Sequence, residues 1–232
     1  QTPATDIASA AGEPVDDLTV GIIKEGMAVA DEGVRETVAE AVDALGDRGV
    51  SIKHVAVPTM DGLVPLFSHV TGAEFAAFLA ANGVSYGTGS GYSELWREEL
   101  AGANERGEYG ERVREMAIIN QLLRTETGGD LYVRTWEVRR ALCAEVAAAF
   151  ESVDALVCPT MPMVAPEYGA VGQTDSAPMT LANTAPFDMT GHPAISVPYG
   201  DVDGLPVGVQ LVARWGDEPT AVRLASTVES LN

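Results

Sequence analysis

The sequence predicts an α/β protein with a mixed β-sheet, and three observations support this prediction. Residues 18–57 alternate short apolar strands with an amphipathic helix, which is the pattern of a strand–helix–strand unit. Residues 131–152 have a helical pattern that leads directly into an apolar strand at 154–158. Two further strand patterns follow near the end of the chain. Parallel pairing is the default within the first unit, and the later strands extend the sheet.

The first unit has clear boundaries. Residues 18–23 (LTVGII) form a short β-branched run that is typical of a buried strand. A helix is predicted over 33–46, because its apolar side chains recur on one face. That face consists of Val34, Val38, Ala41, Val42 and Leu45. Gly46 and Gly49 end the helix, and residues 50–57 are predicted to form the next strand.

The middle of the chain is mainly helical. Residues 63–82 and 108–124 are predicted helices, separated by a Gly- and Ser-rich stretch at 83–92 and a polar run. The longest helix covers 131–152. Its apolar side consists of Ala141, Leu142, Val146, Ala149 and Phe150. The strand at 154–158 follows, and the proline after it ends the strand.

The last part of the chain returns to strands. Residues 194–197 and 207–213 have strand patterns, and the turn-rich segment 199–204 connects them. A final helix is predicted over 219–231. No internal repeat with a period of 20 to 50 residues occurs, which excludes solenoids and propellers.

The chain is strongly acidic. It has 34 Asp and Glu residues against 14 Lys and Arg residues, a formal net charge of -20, and Lys24 and Lys53 are its only lysines. Such a field excludes nucleic acid and anionic membranes as partners, because both require clustered basic side chains. The acids are dispersed rather than gathered in one block. We therefore expect a solvated surface in a salt-rich cytoplasm, in preference to an acidic tail that binds a basic partner.

Cysteine content and the chain start bear on location and domain organisation. Cys143 and Cys158 are too few for a disulfide framework, so we expect both to be reduced and in the core. No apolar run approaches ~18 residues and no leader pattern is present, which predicts a cytoplasmic chain. The first residue is Gln1, and residues 1–17 have the composition of a linker from a missing N-terminal part, with the folded portion at 18–232.

Three segments together resemble the amidase signature family, most closely its acyl amidases. The segments are DALVCPTMPMVAP (154–166), NTAPFDMTGHPAISVPYG (183–200) and GLPVGVQLVAR (204–214). Two upstream segments, VGIIKEGM and GGDLYVRTWEVRRAL, are also similar, so the resemblance covers nearly the whole chain. It implies the C-terminal half of a single amidase domain, with a mixed β-sheet wrapped by helices.

The resemblance also implies a chemistry whose residues are not in this chain. Family members use a nucleophilic serine, a second serine in a cis peptide bond and a lysine, with a Gly-Gly-Ser-Ser segment, all upstream of the matching segments. We therefore assign no catalytic residue here. The implied function is part of an amidase that hydrolyses a small carboxamide to carboxylate and ammonia through an acyl-enzyme, without metal or cofactor. The alternative is a non-catalytic remnant or a partner subunit that completes the fold of a separate chain.

The other motifs are better explained by structural roles than by functional ones. A serine needs a base within hydrogen-bond reach, and both Lys24 and Lys53 have the context of solvated surface lysines. Ser85 lies in GVSYG, which matches a nucleophile elbow as a string, but a helix rather than a strand precedes it. No Lys-Ser or Lys-Thr follows the glycine run at 87–91, so a phosphate-binding loop is not indicated.

The sequence predicts no metal site. His54, His69 and His192 are scattered, and no paired cysteine or His-Glu-x-x-His motif accompanies them. We expect His192 to be a hydrogen-bonded loop histidine rather than a ligand or a general base.

The resemblance supplies six candidate substrate-binding residues, which match positions close to the active site in the family. They are Thr160, Met161, Pro162, Asn183, Thr184 and Phe187. An apolar wall with a few hydroxyl and amide groups suits a small carboxamide. The alternative is that these residues only pack the domain, and the pocket interpretation is favoured for Thr160 and Asn183. The implied partners are a small amide and either a second copy of the chain or a chain that carries the N-terminal half.

Overall fold

The computed structural model describes residues 7–83, 94–167 and 179–231. Its contacts divide the chain into two compact units. Unit 1 consists of Gln1–Val64 together with Val138–Asn232, and unit 2 is Pro65–Glu137. Ser85 and the glycine run at 87–91 lie outside the described residues.

Unit 1 contains a single mixed β-sheet within the described ranges. Its strands are β1 (Thr19–Ile23), β2 (Ser51–Val55), β3 (Ala155–Pro159), β4 (Ala194–Val202) and β5 (Leu205–Ala213). They lie in the order β2-β1-β3-β5-β4. β1 pairs in parallel with β2 and β3, whereas β5 pairs antiparallel with β3 and β4. The predicted α/β fold with a mixed sheet is therefore confirmed.

Eight α-helices form among the described residues. They are α1 (Lys24–Ala28), α2 (Glu32–Asp47), α3 (Leu63–Ala80), α4 (Glu94–Arg106), α5 (Glu111–Thr127), α6 (Asp130–Phe150), α7 (Ala185–Thr190) and α8 (Glu218–Glu229). Short 3-10 turns occur at Ile7–Ala10, Pro58–Met60 and Met179–Leu181. Unit 2 consists of α4, α5 and most of α3, together with the first part of α6.

Helices α2 and α8 cover one face of the sheet and make its main core. The five residues predicted to form the apolar face of α2 are all buried. They pack with α8 residues such as Leu224 and Val228 against Val157 and Leu211 of the sheet. α2 ends where Gly49 adopts a φ of +92°, a conformation that glycine accommodates without strain. The 3.6-residue periodicity of this segment thus identified both the helix and its buried side.

The opposite face of the sheet carries a polar row near the ends of its strands. Cys158 of β3 lies opposite Gln210 of β5, which in turn lies opposite Ser196 of β4. Successive side chains of a strand point to opposite faces, so these three residues share the face opposite α2 and α8. This face positions the candidate site.

Several element boundaries differ from the predictions. β4 continues beyond the predicted 194–197 through Pro198 to Val202. β4 pairs only with β5 among the described strands, and an edge strand tolerates proline because one side needs no ladder donor. β2 is shorter than the predicted 50–57. The helices α1, α4 and α7 were not predicted; α4 contains no buried residue, so apolar periodicity gave no signal for it.

The apolar side of α6 is partly as predicted. Leu142, Val146, Ala149 and Phe150 are buried, whereas Ala141 is exposed. In the N-terminal segment, Ala10 and Val15 are buried, and the Arg223 side chain of α8 donates to the Pro14 carbonyl oxygen at 2.9 Å. The described part of 1–17 therefore packs on unit 1, while its role as a linker stays a prediction.

Among the described residues, α3 is the one helix whose length and composition would allow it to cross a membrane. Core helices of soluble proteins pass the same test. Buried residues on α3 include Leu63, Val70 and Leu79.

Candidate functional site

The candidate site lies at the carboxyl ends of two parallel strands. β1 and β3 are neighbours that run in the same direction, so their ends meet at one edge of the sheet, where ligands bind in open α/β folds. The chain leaves β1 into α1, which contains Gly26, and leaves β3 into the segment 160–162. All the residues that make this site belong to unit 1.

Asn183 joins the two strand ends. Its side-chain nitrogen Nδ2 donates to the carbonyl oxygen of Pro159 at 2.8 Å and to that of Gly26 at 3.1 Å. The residue is 0% exposed, and a buried carbonyl without a donor is costly. The Oδ1 atom of Asn183 has no hydrogen-bond partner among the described residues. In this conformation Asn183 acts on the site by holding the Pro159 carbonyl.

Gln210 in turn holds Asn183. Its Nε2 atom donates to the main-chain oxygen of Asn183 at 2.8 Å and to Sγ of Cys158 at 3.3 Å. Gln210 and Cys158 are both buried. Burial raises the pKa of the Cys158 thiol to about 12, although the hydrogen bond from Gln210 acts in the opposite direction. Cys158 is therefore an inert core thiol.

Gly26 is required by the close approach of α1 to this cluster. A Cβ atom at position 26 would lie 2.8 Å from Cβ of Cys158 and 3.3 Å from Oδ1 of Asn183. The first distance is shorter than carbon atoms tolerate, and a Cβ atom has no flexible end that can move away. The absence of a side chain at Gly26 allows its carbonyl to reach Asn183.

Thr160 is fixed by β5 and β4. Its backbone N–H donates to the carbonyl oxygen of Gly208 at 2.8 Å, and its hydroxyl lies 2.6 Å from the hydroxyl of Ser196. A Cβ atom at Gly208 would lie 2.9 Å from both hydroxyl oxygens. Ser196 is exposed and Thr160 is half-buried, so the pair presents hydroxyl groups to solvent.

The rest of the loop after β3 is anchored from the other side. The carbonyl oxygen of Pro162 accepts the backbone N–H of Asp31 at 2.8 Å, and Pro162 is buried. Met161 lies between the two anchors and is half-buried. The segment 159–162, which we call the site loop, is thus held at Pro159, Thr160 and Pro162.

The structure brings four of the six sequence-predicted pocket residues together. Thr160, Met161 and Pro162 form the site loop, and Asn183 bonds to it. Thr184 is half-buried at the start of α7, and Phe187 of α7 is 3% exposed. The binding of a substrate by these residues stays a prediction.

Ser196, Gly208 and Gln210 were missed by the sequence analysis, although the sequence contained one signal. Gln210 is the one polar side chain in the predicted apolar strand 207–213. A buried polar residue in such a run is expected to have hydrogen-bond partners. Gly208 and Ser196 gave no signal because their neighbour Thr160 is distant in the sequence.

His192 lies in an aromatic stack away from the site loop. Its ring is stacked between Phe150, at 5.3 Å between centroids, and Trp215, at 4.9 Å. Its Nδ1 atom lies 2.8 Å from the Thr190 hydroxyl, which confirms the predicted hydrogen-bonded loop histidine. Desolvation of the ring lowers the pKa of His192.

None of the hydrogen bonds described above for the site involves the remaining candidates. Lys24 and Lys53 are exposed, as predicted, and Lys53 Nζ donates to the Ser152 carbonyl oxygen at 2.9 Å. Within the described ranges, no group of three or more His, Cys, Asp or Glu side chains could hold a metal ion. Cys158 is buried as predicted, but Cys143 is only partly buried, because it lies at the margin of the buried side of α6.

The arrangement can bind a polar ligand but contains no activated nucleophile among the described residues. Two hydroxyl groups in contact leave one O–H free to donate outward and retain lone pairs that can accept. A half-buried thioether beside them adds an adaptable apolar wall. This combination suits a ligand that has hydrogen-bonding groups beside an apolar part.

Comparison with known proteins shows one consistent relationship. A family model described as Amidase matches residues 1–222. The chain is 36% identical over 227 residues to one subunit of the glutamyl-tRNA(Gln) amidotransferase of Halobacterium salinarum, covering 97% of this chain and 53% of that protein. It is 37% identical over 225 residues to the protein of the same name from Natronomonas pharaonis, covering 95% and 53%. The chain therefore spans about half the length of the curated relatives it matches.

Solved structures share the fold at lower identity. The 6-aminohexanoate cyclic dimer hydrolase has a TM-score of 0.75 at 21% identity, covering 100% of this chain and 48% of that one. A bacterial aryl acylamidase of the amidase signature enzymes has a TM-score of 0.72 at 15% identity, covering 97% and 46%. The corresponding glutamyl-tRNA(Gln) amidotransferase subunit from Thermotoga maritima has a TM-score of 0.65 at 24% identity, covering 94% and 43%.

Proposed function

We propose that this chain, which belongs to the amidase family, supplies one wall of a site that hydrolyses a small carboxamide. The reaction adds water across the amide C–N bond and gives a carboxylate and ammonia. In the proposal the nucleophilic serine, the cis-serine and the lysine come from residues outside this chain, and the acyl-enzyme forms on that serine. This chain contributes substrate binding through the site loop.

The observation that carries the proposal is the solvent-accessible hydroxyl pair of Thr160 and Ser196. The two oxygens are 2.6 Å apart and lie next to Gly208 of β5, beside the end of β3. A carboxamide carbonyl can accept from the free hydroxyl, and its NH2 group can donate to the lone pairs. Three hydrogen bonds to its backbone fix the site loop, so the wall is preorganised for binding.

The test is ammonia release from a panel of small aliphatic and aromatic amides in high salt. The 232-residue chain is compared with a protein extended upstream to include a Ser-rich catalytic segment. The proposal predicts ammonia from the extended protein and none from this chain alone. Hydrolysis by this chain alone would contradict it, and Ser85 would then be the first serine to substitute.

The alternative is a partner subunit or remnant that completes the fold of a separate chain. Here the two chains would associate without covalent linkage, and activity would appear on mixing. Size-exclusion chromatography coupled to light scattering distinguishes this case, because a complex with a separately expressed N-terminal half would form at equal stoichiometry. A homodimer of this chain is the other outcome that this measurement would detect.

A second candidate function is supply of ammonia within a larger assembly. It is favoured by the identity of 36% and 37% to proteins named as one subunit of a glutamyl-tRNA(Gln) amidotransferase. In this version the amide is glutamine and the ammonia passes to another chain of the assembly. Ammonia release from glutamine in preference to simple aliphatic amides would support this candidate over the first.

The acidic surface suggests the conditions for these assays. We propose a salt-rich cytoplasm as the location, because a net charge of -20 repels itself unless salt screens it. Assays in molar KCl are therefore the appropriate starting point.

A further inference from the structure

We infer that Gln210 is a positioning residue for the proposed amide site, acting through Asn183 on the site loop. This inference rests on the proposed function, because it assigns a role within the same site. Gln210 does not reach solvent, since it is 4% exposed. Its effect on a ligand must therefore pass through the residues it contacts.

The side-chain amide groups of Gln210 and Asn183 use all of their hydrogen-bond donors. Gln210 Nε2 directs its hydrogens to the Asn183 carbonyl and the Cys158 sulfur. Asn183 Nδ2 directs its hydrogens to the Gly26 and Pro159 carbonyls. An NH2 group has two donors, so both groups are fully engaged. This Gln210–Asn183 relay links β5, α1 and β3 in the buried layer beneath the site loop.

The segments that these hydrogen bonds link are far apart in the sequence. Gln210 and Asn183 are 27 residues apart, Asn183 and Pro159 are 24 apart, and Asn183 and Gly26 are 157 apart. The relay therefore fixes tertiary geometry and not local secondary structure. Removal of one buried donor leaves its acceptor unsatisfied, and the segment that carries the acceptor is then free to shift.

Strand β5 holds the start of the site loop in two ways. Gly208 accepts the Thr160 N–H directly, and Gln210 acts on Pro159 through Asn183. Residues 208 and 210 lie on the same face of β5. A strand is stiffer than a loop, so this arrangement transfers the rigidity of the sheet to Thr160 and its hydroxyl partner Ser196.

The test uses Gln210→Met, which keeps the length of the side chain and removes both donors, with a substitution of the exposed Gln121 of α5, Gln121→Met, as the matched control. Hydrogen exchange is measured in the full 232-residue chain for the backbone amides of Thr160 and of Leu224 in the buried α8. We expect Gln210→Met to accelerate exchange at Thr160 by about tenfold while Leu224 is unchanged. Gln121→Met should change neither.

The same variants are placed in the upstream-extended amidase. Gln210→Met should lower kcat/KM for the amide by about tenfold, because small displacements of positioning groups have large kinetic effects. Unchanged exchange at Thr160, or equal acceleration at Thr160 and Leu224, would overturn the positioning role. If the extended protein has no amidase activity, the proposed function fails, while the exchange data still decide whether the relay holds the loop.

Discussion

The side-chain nitrogen of Asn183 lies 2.8 Å from the carbonyl oxygen of Pro159, and this contact ties the segment that leads into α7 to the end of β3. The same nitrogen also reaches Gly26. One fully buried NH2 group therefore holds the end of a strand and the helix that follows its neighbour. The stability and shape of the candidate site should depend on this group more than on any exposed contact nearby.

Asn183→Asp should destabilise the chain in a pH-dependent way. The substitution replaces a double donor by a carboxylate that faces two carbonyl oxygens, at a cost of about 3 kcal/mol or more at pH 7. A buried carboxyl has a raised pKa, so the unfolded state loses its proton first and stability is lost as pH rises above ~4. Urea unfolding at pH 4.5 and 7 tests this. The deficit of Asn183→Leu, which has no charge, should not change between the two values.

Two glycine substitutions should change the free energy of unfolding in opposite directions. Gly26→Ala places a Cβ atom 2.8 Å from Cβ of Cys158 and should cost about 1–3 kcal/mol. Gly46→Ala lies in an exposed part of α2 with its nearest neighbour at 4.0 Å, and should stabilise by about 0.5–1 kcal/mol. Thermal unfolding followed by circular dichroism measures both. Equal destabilisation by the two variants would show that the packing at Gly26 is not as described.

Cys158 should link stability to alkaline pH. Its pKa is raised from 9.0 to about 12 by burial, so between these values the unfolded state has lost the thiol proton while the folded state keeps it. Stability is then full below pH 9 and falls by about 1.4 kcal/mol per pH unit above it. The difference in unfolding free energy between the native chain and Cys158→Val isolates this contribution. Cys143→Ser, a substitution of the partly buried cysteine, should leave the slope in place.

His192 should link stability to acid pH. Its pKa is lowered from 6.5 by desolvation within the Phe150–Trp215 stack. Protonation therefore favours the unfolded state, and the contribution of His192 is present above pH 6.5 and lost as pH falls below it. The native chain should lose more stability than His192→Asn between pH 7.5 and 5.5. Parallel pH profiles for the two proteins would show that the stacked ring does not titrate as stated.

The sequence predicted the helices and strands that have a clear local pattern. It did not predict the features that depend on contacts between residues distant in the sequence. The buried face of α2 followed from its periodicity, and β1, β3 and β5 followed from apolar runs. The helix α4 has no buried residue, so periodicity could not reveal it. The predicted strand ended before Pro198, whereas β4 continues through it. The edge position that tolerates this proline is a property of the sheet and cannot be inferred from the segment alone.

The candidate site was predicted only in part, for the same physical reason. Resemblance supplied Thr160 and Asn183; in the structure Thr160 belongs to the site loop and Asn183 bonds to Pro159 in it. Ser196 and Gly208 became visible only when β4 and β5 placed them against Thr160. Gln210 was missed although it is a polar residue in an apolar strand, and its partner Asn183 is 27 residues away in the sequence. Asn183 is fully buried. Its hydrogen bonds to two carbonyl oxygens were not indicated by the sequence pattern.

The central claim is that the hydroxyl of Thr160 forms part of an amide-binding wall, and its removal tests the claim most directly. KM for the amide is measured in the upstream-extended protein carrying Thr160→Val, with a substitution of the exposed Thr125 of α5, Thr125→Val, as the control. We expect KM to rise about three- to tenfold with Thr160→Val, as for one lost hydrogen bond, and the control to keep the native KM. A native KM for both variants, with amide hydrolysis intact, would contradict the claim.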